Sequence, residues 1–298
     1  MKQQNSRKKI GLFDTIVHGA FILISLSIVI PLLLLVSISI SNEKSLLTDG
    51  YRFIPKQFSF QAYKLIFHAP KQLVNAYGVT ITVTVVGAVI ALLMTSLLAY
   101  TMSRRDYAYR GFTTRYVVVT MLFSGGLVPF YILMTQYLHL KDMIWALIVP
   151  YLVSPFYTLV MKGFLDQIPM EIIESAKIDG SGEWRTFFGI VLPLAKPALA
   201  TVGLFICFVY WNDWWLGLLF IDNPNLVPLQ LLLYRVLNTI EFLTNGMMQS
   251  SVNIDLTEFP SLSTRMALTI LVAGPMLIVF PFFQKYFVKG LTIGSVKG

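Results

Sequence analysis

The sequence is poor in charge, cysteine and histidine, and each shortage excludes a class of protein. Only 13% of the 298 residues are charged, about half of the roughly 25% that soluble domains carry. The single cysteine, Cys207, excludes an intrachain disulfide, and three scattered histidines have no metal-ligand spacing. No G-x-x-x-x-G-K-[ST] stretch occurs, so we expect no nucleotide to bind to this chain.

Apolar residues take the place of the missing charge. They make up 56% of the chain, and the mean hydropathy is +0.69. A bilayer core of about 30 Å needs roughly 20 apolar helical residues. Six stretches meet this requirement, which predicts an all-α membrane protein with six transmembrane helices: about 16–40, 79–101, 115–137, 144–163, 198–220 and 266–287.

The basic residues flank these stretches and predict their orientation. With the N-terminus in the cytoplasm, the cytoplasmic segments hold 15 of the 23 lysines and arginines, and the outer segments hold eight. Both termini are therefore predicted to be cytoplasmic. The net charge of +8 is explained by this flanking pattern and not by nucleic-acid binding, because no basic stripe with interleaved aromatics occurs.

The predicted spans form one membrane domain, residues 1–298. Small and hydroxylated residues in the second span, such as Gly87 and Ala91, permit close helix packing. Gly125, Gly126 and Pro129 are expected to loosen or kink the third. Residues 41–78 and 221–265 are predicted extracellular segments. In the first, the six aromatic residues between Tyr51 and Phe67 are enough for a small folded cap. The second has a helix near 229–243 that is too short and polar to span.

A polar segment, residues 174–193, lies between the fourth and fifth spans and reads E-S-A-K-I-D-G-S-G-E-W-R-T-F-F-G-I-V-L-P. Its spacing, E-x-A-x3-G-x9-I-x-L-P, resembles the EAA loop of bacterial ABC-importer permeases, with Ser175 where the family usually has alanine. Three further segments resemble the carbohydrate-uptake branch, closest to oligosaccharide-type subunits related to the second permease of maltose importers: F-S-G-G-L-V-P-F-Y (123–131), W-N-D (211–213) and K-G-L-T-I-G-S-V-K-G (289–298).

The local sequence predicts a helix-turn-helix within a cytoplasmic coupling loop, residues 164–196. Pro169 suits a first helical position, Gly180 can end the helix with positive φ, and Pro193 is expected to stop a second helical piece. A short, partly apolar helix on a stiff turn fits a groove on another protein. The alternative is an interfacial amphipathic loop of any polytopic protein. Under the resemblance, the ATPase-docking residues are Glu174, Ala176, Asp179, Gly180, Ile190, Leu192 and Pro193.

The resemblance implies a type I ABC-importer permease in a bacterial plasma membrane. Its implied partners are a second permease subunit (as a heterodimer), a cytoplasmic ATPase dimer and an extracellular sugar-binding lipoprotein. ATP and Mg would bind to the ATPase and no cofactor to this chain, which would be a transporter subunit and not an enzyme. Transport would proceed by alternating access coupled through residues 169–193.

A polar and aromatic cluster in the fifth span is the candidate sugar path. About 15 residues of helix separate Ala198 from Asp213, roughly 22 Å at 1.5 Å per residue, which predicts a carboxylate in the outer leaflet. Ionisable groups at such depth usually face a cavity or a partner. Helix packing, gating or interfacial anchoring explains the same residues without sugar. The candidates are Tyr210, Trp211, Asn212, Asp213 and Trp214.

Three other functions are open at this point. A secondary transporter would need ion-coordinating groups and usually paired inverted halves, whereas Asp213 is the one mid-span acid. A membrane enzyme would need a catalytic constellation, and neither H-E-x-x-H nor paired carboxylates occur. An ABC permease for peptides or amino acids keeps the same fold, with different cargo.

Overall fold

The computed structural model describes residues 11–68, 70–249 and 261–295. This part of the chain is mostly helical and contains no strand, only an isolated antiparallel bridge between Ser41 and Phe58. The basic leader (residues 2–9), residues 250–260 of the second outer segment and the last three residues of the 289–298 motif lie outside it. The helices up to the polar segment are α1 (Leu12–Ser39), α2 (Glu43–Asp49), α3 (Gln61–Ile66), α4 (Pro70–Ser103), α5 (Arg110–Leu122), α6 (Leu127–Ile132), α7 (Trp145–Ile148) and α8 (Pro155–Leu165).

The remaining helices begin in the polar segment. They are α9 (Met170–Ile178), α10 (Glu183–Thr186), α11 (Leu192–Leu194), α12 (Lys196–Asn212), α13 (Trp215–Phe220), α14 (Leu229–Gln249) and α15 (Ser261–Ser295). Short π or 3-10 segments continue α6, α7 and α10, at Leu133–Tyr137, Val149–Tyr151 and Phe187–Val191. The predicted helix near 229–243 is confirmed as α14 and extends six residues further.

Three helices are long and apolar enough to cross a bilayer without interruption. Their candidate spans are Phe13–Ser39, Pro70–Ser103 and Ser261–Gln284, which correspond to the predicted stretches 16–40, 79–101 and 266–287. Pro31, Pro275 and Pro281 lie inside α1 and α15 without ending them.

Three bent helix pairs overlap the other three predicted spans. Arg110–Leu122 and Leu127–Tyr137 meet at 109°, Trp145–Tyr151 and Pro155–Leu165 at 50°, and Glu183–Leu194 and Lys196–Asn212 at 84°. The described residues therefore hold three continuous spans, or up to six if each bent pair crosses once. The predicted kink in the third span is confirmed, because α6 begins after Gly126, whose φ of +85° breaks the helix.

The predicted fifth span, 198–220, is broken as well. Helix α12 ends at Asn212, and Asp213 takes an extended conformation (φ −75°, ψ 116°) before α13 begins at Trp215. The prediction of one uninterrupted helix over 198–220 is therefore wrong. The chain breaks at Asp213, whose carboxylate Oδ1 lies 3.4 Å from the Leu216 amide at the start of the next helix. Asp and Asn favour such helix starts over helix interiors.

Contacts divide the chain into two compact units. The first comprises residues 1–69 and 239–271. In it, the buried carboxylate of Glu43 accepts hydrogen bonds from the Ser261 and Ser263 hydroxyls and from the Leu262 and Ser263 amides, at 2.7–3.1 Å. Glu43 thus caps the N-terminus of α15, where backbone amides have no partner within the helix.

Aromatic side chains do not form the core of the first outer segment. Helices α2 and α3 form there, but the aromatic residues expected to build a cap are mostly exposed, namely Tyr51, Phe53, Phe58, Phe60 and Phe67. Between residues 41 and 68, the buried apolar side chains are the smaller Leu46 and Ala62. Backbone hydrogen bonds from Asn42 to Gln57 and from Ser59 to Ile40 close the segment.

The second unit comprises residues 70–238 and 272–298, and α4 packs against α8 and α12 within it. The buried positions of α4 are largely small or hydroxylated: Thr80, Thr84, Gly87, Ala88, Ala91, Thr95, Ser96 and Ala99. Small side chains let helix backbones approach closely, which replaces the hydrophobic effect that lipid cannot provide.

The closest of these approaches joins Gly87 of α4 to Tyr210 of α12. A Cβ at Gly87 would stand 2.6 Å from Cζ of the Tyr210 ring. The ring is 2% exposed, and its hydroxyl donates to the Ile148 carbonyl at 2.9 Å. The absence of a side chain at Gly87 therefore leaves the space that the Tyr210 ring occupies.

We expect Gly87→Ala to destabilise the protein because the added methyl group overlaps a ring that is held at both ends. Overpacking of this kind costs about 1–3 kcal/mol. The matched control is Gly203→Ala on the same helix pair, where a Cβ would meet only the end of the Leu92 side chain at 3.2 Å. Thermal unfolding in detergent measures both, and equal midpoints for the two variants would contradict the packing assignment.

Candidate functional site

The polar segment folds as a helix and a tight turn. Helix α9 ends at Ile178, and the chain then makes the two hydrogen bonds of a Schellman motif: Gly180 N to Lys177 O at 3.0 Å and Ser181 N to Ala176 O at 2.9 Å. Gly180 has φ +76°, as the sequence predicts. Pro169 precedes the helix as its cap residue and is not its first residue, because its ψ of 132° is extended.

The second helical piece continues through Pro193. Helix α10, the π segment and α11 form one run from Glu183 to Leu194, and the 84° bend follows it. Pro193 was expected to stop this piece, but it lies inside the run, which ends one residue later at Leu194. The bend is therefore at Ala195.

The predicted docking residues divide between the surface and the interior. Glu174, Asp179, Gly180 and Pro193 are exposed, Ile190 and Leu192 are half-buried, and Ala176 is buried. The apolar residues of the loop divide in the same way, because Ile173 and Ala176 face inward. Ile178 is 86% exposed, and Trp184 and Phe188, whose rings stack at 6.0 Å, are also exposed.

Four charged residues join the loop to the end of α4. Arg104 donates to Asp106 through Nε at 2.8 Å and Nη2 at 2.5 Å, and its Nη1 lies 3.2 Å from Glu183 Oε2. Lys177 Nζ lies 2.8 Å from Asp106 Oδ2 and 3.1 Å from Glu183 Oε1. The hydroxyl of Tyr100 donates to Glu183 Oε2 at 2.9 Å. We call these five residues the clasp.

The four charged residues of the clasp are ionised at physiological pH. Hydrogen bonds from Arg104 and then Lys177 hold the pKa of Asp106 far below its ordinary value. The hydrogen bond to Asp106, followed by that to Glu183, raises the pKa of Lys177. Arg104 is only 5% exposed, so its charge needs these carboxylates.

Sequence reasoning missed the clasp. Arg104 is one of the 15 basic residues in the predicted cytoplasmic segments, and no sequence pattern singles out Asp106 or Glu183. The one available signal was an acid two residues after Arg104 at the end of a span, which is too common to identify a partner 79 residues away.

We expect Gly180→Ala to loosen the turn, because left-handed backbone costs a residue with a Cβ roughly 1–2 kcal/mol. No atom lies within 4 Å of the added Cβ, so the cost is purely conformational. Gly182→Ala is the matched control, since Gly182 has φ −69° and equally open space. Hydrogen exchange at Ser181 should quicken about 5- to 30-fold in the first variant only, and an equal rate in both would refute the role of Gly180.

The candidate path residues lie at the break in the fifth span. Tyr210 and Trp211 are buried, and Trp211 donates its Nε1–H to the Val272 carbonyl at 3.1 Å. Asn212 and Trp214 are exposed; the Asn212 Oδ1 accepts from Gln230, and Trp214 stacks on Tyr234 at 4.6 Å. The structure therefore separates two packed residues from two accessible ones within a single cluster.

Asp213 connects this break to the one in the fourth span. Its Oδ1 accepts from the hydroxyl of Tyr151 at 3.0 Å, and Tyr151 immediately precedes the interruption before α8. A pocket of about 450 Å³ opens beside that interruption and is lined by Tyr151, Ser154, Phe156, Tyr157 and Tyr210, among others. In the described part of the chain, no group of three His, Cys, Asp or Glu side chains could hold a metal ion.

Known proteins match almost the whole chain. The family model described as "Binding-protein-dependent transport system inner membrane component" matches residues 12–293. The polygalacturonan/rhamnogalacturonan transport system permease protein YtcP of Bacillus subtilis (strain 168) is 35% identical over 293 residues, which cover 96% of this chain and 99% of that protein. Protein LplC of the same organism is 38% identical over 272 residues, covering 91% and 90%.

A solved structure shares the fold. It is a crystal structure of a bacterial ABC transporter involved in the import of the acidic polysaccharide alginate, and one of its chains superposes with a TM-score of 0.76 at 26% identity. The match covers 96% of this chain and 99% of that chain.

Proposed function

Because the chain belongs to the family of binding-protein-dependent transport system inner membrane components, we propose that its cargo is a carbohydrate, in particular an oligosaccharide. The family itself confirms the predicted permease fold and role, the multi-pass location in the cell membrane and a non-enzymatic function. The single observation that carries the cargo proposal is the full-length similarity to a polygalacturonan/rhamnogalacturonan permease.

Other relatives support the same class of cargo. Permease proteins of arabinooligosaccharide and galactooligosaccharide transport systems are 26% and 31% identical over more than nine-tenths of this chain. These named substrates favour sugar over the peptide or amino-acid alternative. Dependence on a binding protein, which the family description states, disfavours the secondary-transporter alternative.

The proposed complex has four kinds of component. A binding-protein-dependent system requires this chain to work with other subunits. The specific assembly that we propose is a heterodimer with a second permease, a cytoplasmic ATPase dimer that carries ATP and Mg, and an extracellular sugar-binding lipoprotein. Alternating access then requires each ligand, nucleotide or loaded binding protein, to favour one transporter state over the other.

In this proposal the chain is one permease domain, with six crossings and both termini in the cytoplasm. Two bent pairs, Arg110–Leu122 with Leu127–Tyr137 and Trp145–Tyr151 with Pro155–Leu165, would supply the third and fourth crossings, and α12 with α13 the fifth. Residues 41–78 and 221–265 lie outside the cell and residues 164–196 inside it. The distribution of lysine and arginine supports this orientation.

The loop at 169–193 would dock onto the ATPase through its exposed surface. Ile178, Trp184 and Phe188 present apolar groups, and Glu174, Asp179, Gly180 and Pro193 are exposed on the same loop. Ala176 would set the packing beneath the surface, together with the half-buried Ile190 and Leu192. Aromatic anchors surrounded by polar groups are typical of interface centres.

We expect Ile178→Asp to release the ATPase without unfolding the permease, because the side chain is 86% exposed. Losing an apolar anchor and desolvating a charge should weaken binding by at least about tenfold. Ile54→Asp is the matched control, with an isoleucine that is 78% exposed in the outer segment. Co-purification with the tagged permease measures both, and ATPase retention by the Ile178 variant would contradict this docking surface.

The sugar path would pass the two helix breaks that Tyr151 and Asp213 connect. Interrupted helices at membrane depth often mark transporter binding sites, and aromatic walls with polar atoms suit sugar rings. Asn212, Asp213 and Trp214 are the residues that would contact sugar. Tyr210 and Trp211 would hold the wall in place, since their polar atoms already bond backbone carbonyls.

Asn212→Leu should lower sugar uptake by the reconstituted complex about tenfold, within the usual effect of losing a specific hydrogen-bonding group. Its thermal stability should stay unchanged, because the Asn212 side chain is exposed. Trp211→Phe is the comparison: it removes the bond to Val272 and should cost about 1 kcal/mol of stability. Unchanged uptake in the Asn212 variant would remove this residue from the path.

A further inference from the structure

The clasp consists of two halves, one on each of the elements that it joins. Arg104 and Asp106 belong to the end of α4, and their contact is bidentate. Lys177 and Glu183 belong to the loop, and their contact is 3.1 Å long. Each half therefore contains one positive and one negative charge that neutralise each other.

The contacts between the halves use the same four groups. Arg104 reaches Glu183 at 3.2 Å, and Lys177 reaches Asp106 at 2.8 Å. The side chains of Asp106, Lys177 and Glu183 are 45%, 40% and 58% exposed. The Arg104 side chain is only 6% exposed and reaches Glu183 through both Nη1 and Nη2. Water can still reach its carboxylate partners and Lys177, and solvent contact of this kind weakens the net attraction of an ion pair.

Separation of the halves would leave no charge without a partner. Breaking a buried ion pair is normally costly because one member stays uncompensated. Here Arg104, the one buried member, keeps Asp106 when the loop moves away, and Lys177 keeps Glu183. A rigid link that stays closed would instead have like charges on each side, because each charge would then depend on a partner on the opposite side.

We infer that Tyr100, Arg104, Asp106, Lys177 and Glu183 form a releasable clasp, which positions the loop against α4 in one transporter state and lets it part from α4 in another. The inference rests on the proposed role of the loop in docking the ATPase. Arg104, Asp106, Lys177 and Glu183 are positioning residues: they act through the loop and touch neither sugar nor nucleotide.

The test changes the charge of the halves while keeping an attraction between them. Asp106→Asn with Lys177→Gln gives the halves formal charges of +1 and −1. Asp106→Lys with Lys177→Asp gives +2 and −2 and exchanges one cross-contact. The matched control exchanges Asp49 and Lys56, an exposed pair of the same type in the outer segment with a 2.6 Å contact.

The measurement is ATPase activity of the reconstituted complex, with and without sugar-loaded binding protein. If the clasp is releasable, the stimulation of ATPase activity by loaded binding protein should be smaller in the first variant than in wild type, and smaller again in the second. The loss in the second variant should be about tenfold, within the usual range of coupling between sites. The ATPase should still co-purify with both. The Asp49–Lys56 exchange should behave as wild type.

The direction of the salt effect decides between a releasable clasp and a rigid link. Raising the ionic strength above 0.1 M shortens the Debye length from about 10 Å, so it should restore stimulation in both clasp variants relative to wild type at the same salt. Full activity of the exchange variant at low salt, or a loss that salt deepens or leaves unchanged, would overturn the inference. If the wild-type complex itself shows no stimulation, the proposed function fails, which is a separate result.

Discussion

Lipid offers no partner for a backbone amide or carbonyl, so a chain in a membrane must satisfy these groups itself. This constraint accounts for the 34-residue helix α4 and for its row of small buried residues. It also accounts for what happens where a helix stops. At the fifth-span break the Leu216 amide lies 3.4 Å from Asp213 Oδ1, and beyond α13 the Leu229 amide donates to Thr80 Oγ1 at 2.8 Å. At both places a side-chain oxygen accepts the hydrogen bond of a backbone amide near the start of a helix, where no helical carbonyl is available.

The features that could be predicted from the sequence are those that depend on a short stretch of residues. Apolar length and flanking charge predict the regions of the spans, because both depend only on local composition. The turn at Gly180 and the break at Gly126 were predictable for the same reason, since positive φ is a property of one residue. The interruption at Asp213 was missed because composition does not show that a carboxylate will accept a bond from the next helix.

Contacts between residues far apart in the sequence could not be predicted. The clasp joins residues that are 71 and 79 positions apart, and nothing in either segment specifies the other. The apolar residues of the loop divide between interior and surface, because Ile173 and Ala176 face inward and Ile178 faces outward. The aromatic residues of segment 41–78 were predicted to form a small folded cap, but most of them are exposed. Both depend on packing that a single segment does not determine.

The cap on α15 has a consequence for how the protein is made. Glu43 precedes its partners Ser261, Leu262 and Ser263 by 218 to 220 residues. A growing chain has the carboxylate early and the four donors late, so these bonds close only after nearly all of the second unit has been synthesised. Formation of a contact so distant in sequence carries a loop-closure cost that falls as intervening helices pack. The first unit thus combines two segments that are synthesised far apart in time, and it cannot be completed until the second of them has been made.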